Sequence, residues 1–383
     1  FILFKYCSYL FNNLCFNRSL IVVGKWIFYK NRDKGIKGNT VGIMLLFGAM
    51  VLGGIGSSFF DSMALIVLLF VGIVVSLLFY YLANSCKDIT LKDLGIYAIV
   101  YGTVVCLELF SFLLSKNGDF LLLLSNKHVD LGWSESSNNV ALLLLFVIPF
   151  VLYLLVKAKN IIWSLFVNIF FLLFVFTLII TYSRGSILAF VVLEVPLFIF
   201  LIVKNYRNRN IFIMVGIDLL VMIAFGFYLS SINRLESIMQ FLQKFDLQTF
   251  NGRRGLYERV NVLFKQYPIF GIGLGAGVDS KWGPEFAMNG YLFAHGTFYQ
   301  SALSMGVVGI LAMTNHLFYK YKNLFRYFRI ESLIFISAFL ATDFYGLFDV
   351  SYFNWVYMAL LIPFIIYAER LFIEVPQQNQ ITL

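Results

Sequence analysis

Apolar runs as long as a bilayer core is thick recur through almost the whole of this chain, and they limit its fold more than any other feature. Ten are readable, at 41–60, 63–82, 94–114, 139–156, 161–181, 186–203, 211–231, 294–317, 332–348 and 355–371. About 20 apolar residues in a helix cross the hydrocarbon. A helix also satisfies its own backbone polar groups there, where water cannot. The runs do not alternate polar and apolar residues as the strands of a membrane barrel would. Composition agrees: 13% of residues are charged, against about 25% in soluble domains. The first 30 residues are apolar but interrupted by Asn12, Asn13, Asn17 and Arg18. They supply one more span, or a span plus an interfacial piece. The expectation is an all-α, polytopic transmembrane bundle of about 11 spans (about 10–12), forming a single membrane domain over 1–383.

The net charge of +9 would suggest nucleic acid in a soluble protein; here it is a topology signal. One set of connections carries Lys30, Arg32, Lys34, Lys37, Lys87, Lys92, Lys157, Lys159, Lys204, Arg207, Arg209, Lys320, Lys322, Arg326 and Arg329. The alternate short connections carry Lys116, Lys127 and Arg184. Lys and Arg concentrate in cytoplasmic loops, so the first set and the C-terminus are assigned to the cytoplasm. The second set, the turns at Asp61 and Asp349, and a long loop at 232–293 fall outside. Cys7, Cys15, Cys86 and Cys106 are scattered in or near apolar segments, with no Cys-x-x-Cys pair. That pattern argues against a disulfide framework or a structural zinc site. The sequence shows no cleavable signal peptide followed by a soluble body.

The 232–293 loop reads as structured. Leu256, Val260, Leu263, Phe264 and Tyr267 recur at helical spacing, with Asn251-Gly252 before them and Pro268 after. An amphipathic helix is expected there. Arg253 and Arg254 stand at its start, where cations oppose the helix dipole, and Arg259 lies on its polar face. These arginines are either solvated charge or anion ligands. The run Gly271-Ile272-Gly273-Leu274-Gly275 lacks the strand and βαβ unit of a nucleotide site. Close backbone packing is the preferred reading for it.

Arg184 is a cation on an outer turn, against the prevailing bias. It either snorkels to headgroups or grips phosphate oxygens with its planar fork. His295 stands where the long loop re-enters the membrane. It is either a hydrogen-bonded structural group or a general base near neutral pH. His316 lies on the same predicted helix, about 30 Å away by helix rise, too far to share that site. The role of the external His128 is open. Acids in or at spans are costly, which singles out Glu108, Glu194, Asp218 and Asp343, with Asp61 on the first external turn. Asp343 and Glu108 are expected toward the outer half, able to reach the same cavity. There is no Asp-x-Asp metal motif.

Three segments together resemble the bacterial O-antigen ligase and polysaccharide polymerase superfamily. They are Ser183-Arg184-Gly185-Ser186 before an apolar span, Arg253-Arg254-Gly255-Leu256-Tyr257 leading to Pro268 and the glycine run, and Ala294-His295 followed by Gly306 and Gly309. The likeness covers roughly 139–320. Two departures are Gly296, where Asn commonly follows the His, and Tyr257, where the loop aromatic is usually Trp. The resemblance implies a glycosyltransferase acting on an undecaprenyl-diphosphate-linked glycan at the outer face of the bacterial cytoplasmic membrane. It would need neither cofactor nor metal. Arg184 and Arg253, with Arg254 beside it, would bind the diphosphate. His295 would orient or deprotonate the acceptor hydroxyl, and a single displacement would invert the anomeric centre. Tyr182, Tyr257, Arg259, Asp61 and Asp343 are supporting candidates.

A polymerase transfers the glycan to another lipid-linked repeat unit; a ligase transfers it to lipid A–core. The 44 Phe residues, with abundant Ile, Lys and Asn, suggest an AT-rich genome, and tilt the reading toward a polymerase of capsule or O-antigen type. Expected partners are membrane lipids, the lipid-linked glycan, a chain-length regulator and a flippase, and no nucleic acid. The rival reading, that the chain is itself a flippase or transporter, predicts internal repeats and broken midplane spans. No convincing internal repeat is present.

Overall fold

The computed structural model describes residues 45–46, 48–49, 90–116, 131, 134, 136–231, 254–272, 294–326 and 329–373. All of these lie in one unit, Gly38–Leu383. Most of the span expected at 41–60, the span at 63–82, the first 30 residues, Asp61, His128, Arg253 and most of the 232–293 loop lie outside the described residues. The described residues form helices and no strand. In order these are α1 (Leu91–Ser115), α2 (Ser137–Lys157), α3 (Ile161–Ile180), α4 (Arg184–Ala189), a π turn (Phe190–Glu194) running into α5 (Val195–Lys204), and α6 (Arg209–Ser231). Then come α7 (Arg254–Gln266), α8 (Thr297–Arg326), α9 (Ile330–Tyr345) and α10 (Trp355–Ile373). Among the described residues, six stretches are long and apolar enough to cross a membrane: α1, α2, α3, α4 through α5, Arg209–Phe227 of α6 and Thr297–Lys322 of α8.

The helix starts follow local chemistry. Thr90 and Asp93 close a reciprocal capping box on α1, with the Thr90 amide donating to Asp93 Oδ2 at 2.7 Å. Ser136 accepts from the Asn139 amide on α2, and Asn160 from the Ile162 amide on α3. α2 is apolar on every side, as a helix surrounded by others should be. From Val140 to Val151 its side chains are almost wholly buried. It packs against α1, α3 and α9. Its Phe146 and Phe150 meet Phe335 and Phe339 of α9 and Tyr357 and Phe364 of α10 in mostly edge-on or tilted contacts. Ile96, Val100, Val104 and Leu107 form an exposed stripe on α1, the surface a membrane helix turns to lipid.

α8 departs from the straight span expected at 294–317. It runs on to Arg326 and bends at Gly306, where φ 61 and ψ −150 are non-helical. The residues after α7 lock into this bend. Ile272 donates to the Leu303 carbonyl at 2.8 Å, and Val307 to the Pro268 carbonyl at 2.8 Å. A Cβ at Gly306 would stand 2.5 Å from the Ile269 carbonyl carbon, and one at Gly271 2.4 Å from the Leu303 oxygen. Both glycines have positive φ, which Cβ-bearing residues adopt at a cost. The start of the glycine run therefore serves close backbone packing, which fastens α7 onto α8.

Lys320 corrects the charge assignment. The sequence puts it among the cytoplasmic-loop cations, but it is a buried residue within α8, paired with Asp343 of α9. A lysine near the end of an apolar run reads as a loop residue; here the α8–α9 contact encloses it.

Candidate active site

The 346–354 turn between α9 and α10 gathers residues from four places in the chain. Thr297, the first residue of α8, donates its amide to the Gly346 carbonyl at 2.7 Å. Its hydroxyl lies 3.1 Å from that of Ser351. That seating places His295, two residues earlier, against Asp349: His295 Nδ1 lies 3.2 Å from Asp349 Oδ1. Both side chains keep some access, at 24% and 16% exposed.

Asp349 is held through both carboxylate oxygens. Its Oδ1 also accepts the Val350 amide at 2.9 Å. Its Oδ2 accepts from Asn138 Nδ2 of α2 at 3.2 Å and from the Tyr345 hydroxyl of α9 at 3.0 Å. Val350, Asn138 and Tyr345 all donate to it, an arrangement that suits an ionised carboxylate, which can only accept. With an Nδ1 proton directed at Oδ1, the imidazole leaves the lone pair of Nε2 for a second partner. A ring oriented by a carboxylate through one nitrogen is prepared to take a proton at the other.

Arg184 reaches the same end of the bundle. It is the first residue of α4. A Cβ on the adjacent Gly185 would stand 3.2 Å from Phe348 Cβ and 3.5 Å from Tyr345 Cδ2. The α4 start thus packs on the turn that carries Asp349, and its neighbour Tyr345 is the residue that donates to Asp349. Tyr182, named as a supporting candidate, is buried at this start with φ 51, and His295 has φ 46. They are the two non-glycine residues with positive φ among the described residues. Such a backbone costs of order 1–3 kcal/mol and collects at functional sites. Here the two cases flank the candidate cation and carry the candidate base.

Tyr257 of α7 donates to the His295 carbonyl at 2.8 Å and stacks on Tyr299 with centroids 4.0 Å apart. The amphipathic helix predicted in the long loop therefore touches the backbone of the histidine. Its Val260 and Leu263 are buried with Ile272, Ala294 and Leu303. Arg254 is displayed differently: its Nε sits 3.1 Å from Glu258 Oε1 one turn on, with the two side chains 74% and 65% exposed.

Residues 169–314 match the O-antigen ligase family model. The matched stretch contains Arg184, Arg253, Arg254, Tyr257, Arg259 and His295, and supports the O-antigen ligase and polymerase superfamily read in the sequence. Together with the apolar helices it supports a multi-pass protein of the inner membrane. A search of curated proteins finds no match to this chain. Asp349 lies beyond the O-antigen ligase segment, which ends at 314.

Two other predicted residues have different surroundings. Asp343, a supporting candidate, accepts from Lys320 Nζ and the hydroxyls of Tyr321 and Tyr352. Glu108 accepts the Ser134 amide at 3.0 Å and the Ser134 hydroxyl. His316 packs edge-on against Tyr352, centroids 5.3 Å apart. The bend at Gly306 brings it to the turn that a straight helix would have kept distant.

Proposed function

We propose that this chain is a membrane glycosyltransferase that polymerises undecaprenyl-diphosphate-linked oligosaccharide repeat units at the outer face of the bacterial cytoplasmic membrane. The hydrogen bond between His295 and a carboxylate that also accepts from Val350, Asn138 and Tyr345 carries this reading. The packing of the Arg184 helix start on the same turn supports it. His295 Nε2 takes the proton of the acceptor sugar hydroxyl as that oxygen attacks the anomeric carbon of the donor. The bond from that carbon to the phosphate oxygen breaks on the opposite face, and the electron pair leaves with the diphosphate. Arg184, with Arg253 from the α7 approach, holds the leaving diphosphate and stabilises the charge that develops on it. One displacement inverts the anomeric centre.

A second reading follows from the family description, O-antigen ligase: transfer to lipid A–core, the acceptor that the sequence resemblance implies for a ligase. Purified protein in nanodiscs, given lipid-linked repeat unit alone, separates the two. A ladder of polymer on a gel supports the polymerase. Product that forms only after lipid A–core is added supports the ligase. Absence of transfer to either acceptor overturns the glycosyltransferase reading.

A further inference from the structure

Lys320 is enclosed deep in the described bundle, with its side chain 0% exposed. Its Nζ donates to Asp343 Oδ2 at 2.5 Å and to the Tyr352 hydroxyl. The rings of Tyr321, Tyr352 and Phe339 surround it, with centroids 5.0, 5.2 and 5.3 Å away. Asp343 in turn accepts the Tyr321 hydroxyl at 2.5 Å and the Tyr352 hydroxyl at 2.9 Å. A buried ion pair is a weak source of net stability, since desolvation offsets its attraction; its better attested effect is to fix one geometry. Here the geometry includes the active-site turn. Tyr352 stands three residues after Asp349; it and the two residues between them, Val350 and Ser351, are buried. The turn is also pinned at its start by the Thr297–Gly346 bond and beside Tyr352 by the Thr297–Ser351 contact.

We propose that Lys320, Asp343 and Tyr352 are positioning residues, a charged clamp inside the bundle that holds the 346–354 turn so that Asp349 meets His295. This rests on the reading of His295 and Asp349 as the reacting pair. None of the three touches the substrate; they act through the turn. The clamp ties together α8, α9 and the turn. α8 carries His295 just before its first residue and Lys320 beyond its bend, so one helix bears on the Asp349 turn at both ends.

Two variants separate positioning from simple folding. Tyr352→Phe keeps the ring and the Lys320–Asp343 pair but removes the hydroxyl that links the turn to them. Lys320→Met with Asp343→Asn removes both charges together, which avoids leaving one buried and unpaired. Each is purified in nanodiscs and measured three ways: thermal unfolding, steady-state transfer from a lipid-linked repeat unit, and the rate at which diethylpyrocarbonate modifies His295 at fixed pH, read by mass spectrometry. The expected result for both is unfolding within a few degrees of wild type, kcat lowered about tenfold with KM for the donor unchanged, and a His295 modification rate changed severalfold. Single Asp343→Asn is expected to accumulate poorly, because Lys320 is left without its carboxylate. If the double variant recovers accumulation and also keeps wild-type kcat and His295 reactivity, the clamp is structural only and the proposal is overturned. Unchanged kcat and His295 reactivity in Tyr352→Phe overturn it equally. If wild type transfers nothing while the variants still change His295 reactivity, the transferase reading fails and the positioning stands.

Discussion

Replacing Asp349 by Asn tests how the candidate base is prepared. Among the described residues the carboxylate meets His295 Nδ1 and the Val350 amide at Oδ1, and Asn138 and Tyr345 at Oδ2. An asparagine has one oxygen and one NH2 group. With its oxygen toward His295, the NH2 faces two donors on the other side. With the NH2 toward His295, it donates to Nδ1, moves the ring proton to Nε2 and removes the lone pair needed for the acceptor hydroxyl. A lost hydrogen bond to a charged group amounts to roughly 1.5–3 kcal/mol, or about ten- to a hundredfold in rate. A wrong imidazole tautomer costs about 10⁴ in the serine-protease triad. We expect kcat to fall between about 10² and 10⁴, with membrane accumulation close to wild type, since the side chain keeps its size. The assay is transfer from lipid-linked repeat unit by the purified variant, normalised to protein in the nanodisc. Wild-type kcat in Asp349→Asn would refute the dyad and leave His295 as a structural hydrogen-bonding group.

Other substitutions give separate readings. Arg184→Ala and His295→Ala should each abolish long polymer in cells while the protein still reaches the membrane, checked by immunoblot of membrane fractions beside a polysaccharide gel. Gly306→Ala forces a Cβ to within 2.5 Å of backbone at positive φ. It should lower thermal stability by more than 1 kcal/mol, on the order expected for an incompatible backbone. Arg254→Ala removes only an exposed i,i+4 pair and should change stability by less than about 0.5 kcal/mol. Any larger effect on transfer would then report substrate contact.

Much of the helix pattern was legible because lipid imposes a simple rule. α1 to α6 fall within a few residues of the apolar runs, since an apolar helix of bilayer length has few alternatives. The amphipathic spacing of Leu256, Val260 and Leu263 marked α7, and Pro268 marked its end. Arg184 and His295 stood out as ionisable groups at the ends of apolar spans. The positions that escaped the reading depend on tertiary contact. Asp349 looked like Asp61, one acid in a short turn; only the seating of Thr297 on Gly346 brings it to the histidine. Asn138 and Tyr345 gave no signal for the same reason. Lys320 resembled a loop cation because its partner is 23 residues away on another helix. The bend at Gly306 is set by contact with 268–272, which spacing along α8 does not report. Arg253 and Asp61 lie outside the described residues, and their assignment rests on the sequence.

In this mechanism Arg184 and His295 share one site facing the outside of the cell. It is tested most directly by single cysteines at 184 and at 295, in a background where Cys7, Cys15, Cys86 and Cys106 are replaced by Ser. Intact cells are treated with a membrane-impermeant maleimide, and a second reporter cysteine is placed at Lys159 as a cytoplasmic control. Labelling at 184 and at 295 from outside, with no labelling at 159, is expected. Labelling of one of the pair from outside and the other only after lysis would contradict it.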